Sequence, residues 1–248
     1  MPEGRLPLQP AFAVTYLLTQ CTSVSEVVRE LTQHCFLTGE RLLGTLPTVH
    51  WIFSDRSGET VIIEPDADGL HIYRNSMGVL TNSPGYPWHR ENLLNYPQLR
   101  TEDYEASNIN GETIAPCFSG TGSSGLPGSC TSPDRFVRLS FLKQHACKGQ
   151  SEEEGVAYML RLFENIAFPL GAVRVSEAEQ AGARDEGIVP YDYTLYTAVM
   201  CAESGRFYFT TYRNPQIRCL DLNAIKHLPQ IRQWPLEDKP HISLLTLD

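Results

Sequence analysis

The chain has 248 residues, 42% of them hydrophobic, and a formal net charge of −9. That length and apolar content suffice for the core of one large domain, and the acidic balance argues against binding nucleic acid or an anionic membrane surface. The longest apolar stretch, Ala11 to Leu18, falls far short of the ~18 residues a membrane-spanning helix needs. Glu3 beside Arg5 gives the first residues no net positive charge, so a secretory leader is not expected.

In chain order, Pro2, Pro7 and Pro10 interrupt an apolar stretch from Phe12 to Leu18 that reads as cut from something larger. A helix follows, with Ser23 and Glu26 as a capping-box pair and Val24, Val27, Val28 and Leu31 on one face. Residues 34–47 read as a loop. The period then changes to two. Strands are predicted at Thr48–Phe53, Glu59–Glu64, Leu70–Arg74 and Gly78–Thr81, joined by turns at Arg56-Ser57-Gly58 and Asp66–Gly69. Residues 83–132 have little periodicity and are rich in Pro, Gly, Ser and Asn, as functional or assembly loops are. Ser132 and Pro133 suit the start of a helix over 134–146. Ser151 and Glu154 suit a second, with Val156, Met159, Leu160, Phe163 and Ala167 facing inward. Strands return at Tyr193–Glu203, Arg206–Tyr212 and Gln216–Leu222, with a further edge at 240–247. This order implies an α+β chain, a single domain over 1–248, with two antiparallel sheets face to face and helices outside.

Seven cysteines (Cys21, Cys35, Cys117, Cys130, Cys147, Cys201 and Cys219) are irregularly spaced and include no C-x-x-C. Reduced, mostly buried thiols in a reducing, cytoplasmic compartment are expected, not a disulfide framework or a zinc site. The seven histidines are scattered, and none forms a close metal-ligand pair on a helix face. His50 and His71 read as ordinary strand residues. Glu152, Glu153 and Glu154 occupy a first helical turn, where the macrodipole favours carboxylates. Gly120 to Gly125 spells G-x-G-x-x-G, but no strand leads in and Leu126-Pro127-Gly128 leads out into loop, so a dinucleotide site is not expected.

Two segments carry chemistry more readily. Gly78-Val79-Leu80-Thr81-Asn82-Ser83-Pro84 delivers an Asn at a strand end. Asn82 suits a turn before Pro84; its carboxamide N–H can also point at a developing oxyanion. Gly125-Leu126-Pro127-Gly128, followed by Ser132 to Arg138, places Arg135 in a first helical turn. The dipole disfavours a cation there, so either Arg135 is solvated or it has a specific anionic partner. A guanidinium beside a thiol would favour the thiolate.

Read together with His50–Gly58, Asp192–Thr197 and Tyr208–Asn214, these segments resemble, in order, the choloylglycine hydrolase family, which includes bile salt hydrolases and penicillin V acylases. The resemblance runs from about residue 12 to about residue 245. It implies an Ntn-hydrolase αββα sandwich and hydrolysis of a linear amide of a small molecule. The nucleophile is the thiolate of an N-terminal cysteine, whose own α-amine handles the proton. No metal or organic cofactor is implied. Asn82 matches the family's oxyanion-hole Asn, and Arg135 matches the Arg beside the nucleophile. Phe36, Leu42 and Leu43 are candidates for an apolar acyl pocket, or simply anchor their loop. The chain begins Met1-Pro2-Glu3, and Cys21 is internal with no free α-amine. It is therefore expected to be N-terminally truncated, with both sheets incomplete and no amide hydrolysis by the 248 residues alone. The alternative is a non-catalytic remnant acting as an assembly or binding module through 83–132. Family members usually form tetramers through this region, so a homo-oligomer is expected.

Overall fold

A computed structural model describes residues 4–42, 44–176 and 190–245. The chain divides into two compact units, residues 1–97 and 98–248.

The first unit opens with β1 (Leu6–Leu8), paired in parallel with β2 (Cys35–Leu37). The 34–47 segment is thus not wholly loop. Between these strands run α1 (Ala13–Gln20), which begins beyond the last of the three prolines, and α2 (Val24–Arg29). Pro10 only opens the short 3-10 turn before α1, where its missing N–H costs nothing. Ser23 caps α2, its hydroxyl accepting from Glu26 N at 3.2 Å. The Glu26 carboxylate reaches back one residue further than expected, to the amide and hydroxyl of Thr22 at 2.7 and 2.9 Å. Val24, Val27 and Leu31 are buried on one face, as the periodicity predicts.

The meander has three strands: β3 (Trp51–Ser54), β4 (Thr60–Asp66) and β5 (Gly69–Tyr73), all antiparallel. β3 alternates buried Trp51 and Phe53 with exposed Ile52 and Ser54. On central β4, Val61, Ile62 and Ile63 are all inaccessible, so both its faces are covered. Val61 and Ile63 join Leu17, Val24 and Leu31 in the main core. Each such side chain contributes roughly 1.5–3 kcal/mol by burial. Gly78–Thr81, expected as a fourth strand, is not one. α3 (Tyr86–Asn92) follows it. With Gly85 before it, Pro87 at its second position and fewer than two full turns of apolar spacing, α3 shows no helical period in the sequence.

In the second unit, β6 (Ser107–Ile109) and β7 (Glu112–Ile114) form an exposed hairpin about Asn110-Gly111, both at positive φ as a tight two-residue turn requires. α4 (Ser132–His145) begins two residues earlier than expected and is capped by Thr131, not Ser132. Thr131 is extended and Ser132 already helical, and the Thr131 hydroxyl takes Asp134 N at 3.4 Å. α5 (Glu152–Glu164) is capped by Ser151 as expected. Its buried stripe is narrow. Val156 and Leu160 pack on Tyr208, while Met159 faces solvent and Ala167 lies beyond the helix end. Glu152 does more than favour the dipole: it accepts from the Ser204 and Tyr208 hydroxyls, both at 2.7 Å.

β8 (Val173–Arg174) pairs with β9 (Tyr191–Asp192). β10 (Tyr196–Cys201), β11 (Arg206–Thr211) and β12 (Arg218–Asp221) form an antiparallel sheet. Residues 240–245 are not a strand. Ile242, Leu244 and Leu245 are more than 80% exposed; residues 246–248 of that expected edge lie outside the described residues. Among the described residues, no helix is long and apolar enough to cross a membrane.

Candidate active site

Asn82 is exposed at the end of the 78–82 segment. Its main-chain carbonyl accepts a hydrogen bond from Nε2 of His89, on α3, at 3.0 Å. His89 is 1% exposed and stands 3.4 Å from the Thr81 hydroxyl. α3 is tied down at its start. The buried Glu64 carboxylate, on β4, accepts from Tyr86 N at 3.1 and 2.9 Å and also meets His50 Nδ1 at 3.0 Å. The Tyr86 hydroxyl accepts from Met77 N at 2.9 Å. His50 therefore lies just ahead of β3 as a partner of Glu64, not within a strand. The same 50–58 segment supplies Asp55, which accepts from Val24 N at 2.8 Å at the start of α2.

Arg135, half-buried in the first turn of α4, donates from Nε to the Cys130 carbonyl at 3.0 Å. Its guanidinium carbon lies 5.1 Å from the Phe168 ring centroid, a cation–π contact. Burial lowers its pKa; the nearby Cys130 thiol opposes that shift and Arg138 adds to it. Arg138 is 9% exposed and spans three carbonyls. Its Nη1 donates to Pro127 and Ser129 at 2.6 and 2.8 Å, and its Nε to Asn165 at 2.9 Å.

The Asp192–Thr197 and Tyr208–Asn214 segments build this surrounding. The Thr194 hydroxyl accepts from Phe168 N at 2.8 Å, and Thr194 N donates to Phe168 O at 3.1 Å. The Tyr212 hydroxyl accepts from Leu170 N at 2.8 Å, and Tyr212 N donates to Leu195 O. Both segments thus fix the loop that carries Phe168.

Of the proposed acyl-pocket residues, Phe36 is half-buried in β2, and half-buried Leu42 exchanges backbone hydrogen bonds with Thr45. Leu43 lies outside the described residues. Gly120–Gly125 is a packed turn: Thr121 N and its hydroxyl donate to Asp103 at 2.7 and 3.0 Å, and no α-helix starts there. Cys35 is buried and its thiol is pushed up by burial, as is that of Cys21. Cys117, Cys147 and Cys219 are exposed, against the expectation of mostly buried thiols. All seven cysteines are free. Asp66, Asp68 and His71 bring ligand-type atoms within 4.8 Å of one another on an exposed hairpin. The 2.7 Å Asp68–His71 hydrogen bond accounts for that grouping.

Sequence reasoning missed His89, Glu64, Arg138 and Phe168. His89 follows Asn82 by seven residues, but only recognition of α3 would bring it back to that carbonyl.

The model of the linear amide C–N hydrolases, choloylglycine hydrolase family, matches residues 1–233. A bile salt hydrolase/transferase of Clostridium perfringens is 30% identical over 223 residues, 89% of this chain and 64% of the relative. A conjugated bile acid hydrolase of Lactobacillus acidophilus is 32% identical over 209 residues, 83% and 62% respectively. The chain thus spans less than two thirds of the length of these two relatives. A crystal structure of a mutant conjugated bile acid hydrolase from C. perfringens superposes with a TM-score of 0.84 at 27% identity, covering 99% of this chain and 72% of that one. A penicillin V acylase from Agrobacterium tumefaciens, at 21% identity, TM-score 0.64, and coverage of 90% and 59%, shares the fold. The fold class is the Ntn-hydrolase α+β type that the order of elements and the resemblance imply.

Proposed function

Because the chain belongs to the linear amide C–N hydrolases of the choloylglycine hydrolase family, we propose that it forms the oxyanion-stabilising and guanidinium-bearing part of an enzyme that hydrolyses small-molecule amides. Conjugated bile salts, penicillin V and related N-acyl amides are the substrate class. The observation that carries this reading is the exposed Asn82, at the end of a segment fixed by α3. A carboxamide N–H there can donate to a tetrahedral oxyanion. In the second unit, Arg135 keeps an oriented guanidinium, suited to favouring a thiolate.

The chemistry follows in steps. An N-terminal cysteine thiolate attacks the amide carbonyl, and Asn82 donates to the oxygen as negative charge develops. The amine departs with a proton delivered by the cysteine α-amine, and water then hydrolyses the thioester. A polypeptide carrying these residues behind an N-terminal cysteine is expected to release taurine, glycine or phenoxyacetate from taurocholate, glycocholate or penicillin V, respectively. In it, Asn82→Ala should lower kcat by roughly 10²–10³-fold. An Asn82→Ala variant with undiminished kcat would refute the assignment.

One observation favours an assembly role as well. Ile109 and Ile114 on the β6–β7 hairpin are both more than half exposed. They suit contact between copies of the chain in a homo-oligomer.

A further inference from the structure

We infer that His89 is a positioning residue for Asn82: its Nε2–H, bonded to the Asn82 main-chain carbonyl, fixes the backbone from which the carboxamide projects. The inference rests on the oxyanion reading of Asn82.

An oxyanion donor must stand within roughly 0.5 Å of its productive place. Asn82 lies outside every named strand, so no sheet ladder sets its backbone. A carbonyl oxygen can only accept, so the 3.0 Å contact is a hydrogen bond only when Nε2 carries the proton. The Thr81 hydroxyl stands further from Nε2, at 3.4 Å. Nε2–H has one proton to give, and distance assigns it to Asn82. The imidazole is almost wholly shielded from water. Its helix is in turn pinned to β4 through Glu64 and to residue 77 through Tyr86. α3 therefore holds the 77–82 segment near both ends, and His89 grips the end that bears the chemistry.

The test combines NMR and kinetics. In the 15N-labelled 248-residue chain, long-range 1H–15N spectra should show His89 as the Nε2–H tautomer. His89→Phe, which fills space without a donor, should shift the Asn82 main-chain and side-chain amide resonances. His89→Gln, whose carboxamide can donate, should largely restore them. In the cysteine-headed polypeptide, His89→Phe should lower kcat roughly 10–100-fold, short of the loss of a whole oxyanion donor. KM should stay within about threefold, since ground-state binding is untouched, and His89→Gln should recover most of the rate. An Nδ1–H tautomer in the wild type would overturn the inference whether or not any variant folds. So would unmoved Asn82 resonances in folded His89→Phe, or equal kcat losses in both variants. If the wild-type cysteine-headed polypeptide hydrolyses none of the amides while the tautomer and Asn82 shifts are as expected, the hydrolase reading fails and the His89–Asn82 link stands.

Discussion

Arg138 offers the sharpest test of how the Arg135 loop is built. Its guanidinium holds the carbonyls of Pro127 and Ser129 through one nitrogen and that of Asn165 through another. Arg138→Met keeps most of the aliphatic stem, so packing changes little. What is lost is two charged donor nitrogens serving three carbonyls. A hydrogen bond with a charged partner contributes about 1.5–3 kcal/mol. Water can reach a loosened 127–129 loop and recover part of that, so the low end applies to each nitrogen, about 3 kcal/mol together. For a chain of this size 1 kcal/mol moves Tm by about 2–4 °C, which gives a fall of roughly 6–12 °C by calorimetry or circular dichroism. Amide exchange at Gly128 and Ser129 should accelerate at the same time. Arg138→Lys, with a single ammonium, should lie between the two. A Tm within about 2 °C of wild type for Arg138→Met would refute the reasoning, because the three carbonyls would then not depend on that side chain.

Two further perturbations reach other parts of the chain. Asp55 is held below the usual carboxylate range, first by the Ser57 hydroxyl and then by the Val24 and Ser57 amides; Glu152 is held down first by the Tyr208 hydroxyl and Asp103 first by the Thr121 amide. A folded pKa below the unfolded value gives stability that is complete above the unfolded value, about 4 for these groups, and lost as pH falls through the folded value. Tm should therefore be flat from about pH 6 to 5 and decline from about pH 4 downward; a melting point unchanged to pH 3 would contradict this. Gly122→Ala would push a methyl into the carbonyl oxygens of Glu102 and Arg100. It should cost about 3 kcal/mol by overpacking, read as a lowered urea midpoint, and an unchanged midpoint would show that the 98–104 strap yields freely.

The sequence showed whatever depends on spacing. α2 and α5 were legible from Ser23 and Ser151 with their apolar stripes, and the hairpins β3–β4–β5 and β10–β11 from alternation and turn residues. It hid what depends on tertiary partners. α3 has too few apolar positions to declare a period, yet a buried carboxylate from β4 holds its first amide. Gly78–Thr81 has strand composition but is held at its flanks instead, by side chains of α3 on Met77 N and the Asn82 carbonyl. The ordered segments behind the family resemblance include much framework: Asp55 caps α2, while Thr194 and Tyr212 hold the Phe168 loop.

That division explains why the sequence could offer Asn82 and Arg135 as candidates but not the side chains that hold the backbone around them. The bonds of three side chains share one chemical form, a buried or half-buried side-chain donor aimed at a main-chain carbonyl. His89 holds Asn82, Arg135 is held at Cys130, and Arg138 holds Pro127 and Ser129. Every residue has a carbonyl, so the accepting half of each bond leaves no mark on the amino-acid alphabet. The donating half is one His or Arg among many in the chain. Only the folded path, which folds α3 back over seven residues and sets α4 against the 127–130 loop, decides which donors serve. Substitutions at 130 or 82 that preserve backbone conformation should therefore leave these bonds intact, whereas removing a donor at 89 or 138 should release the segment it holds even though residues 82 and 135 are unchanged.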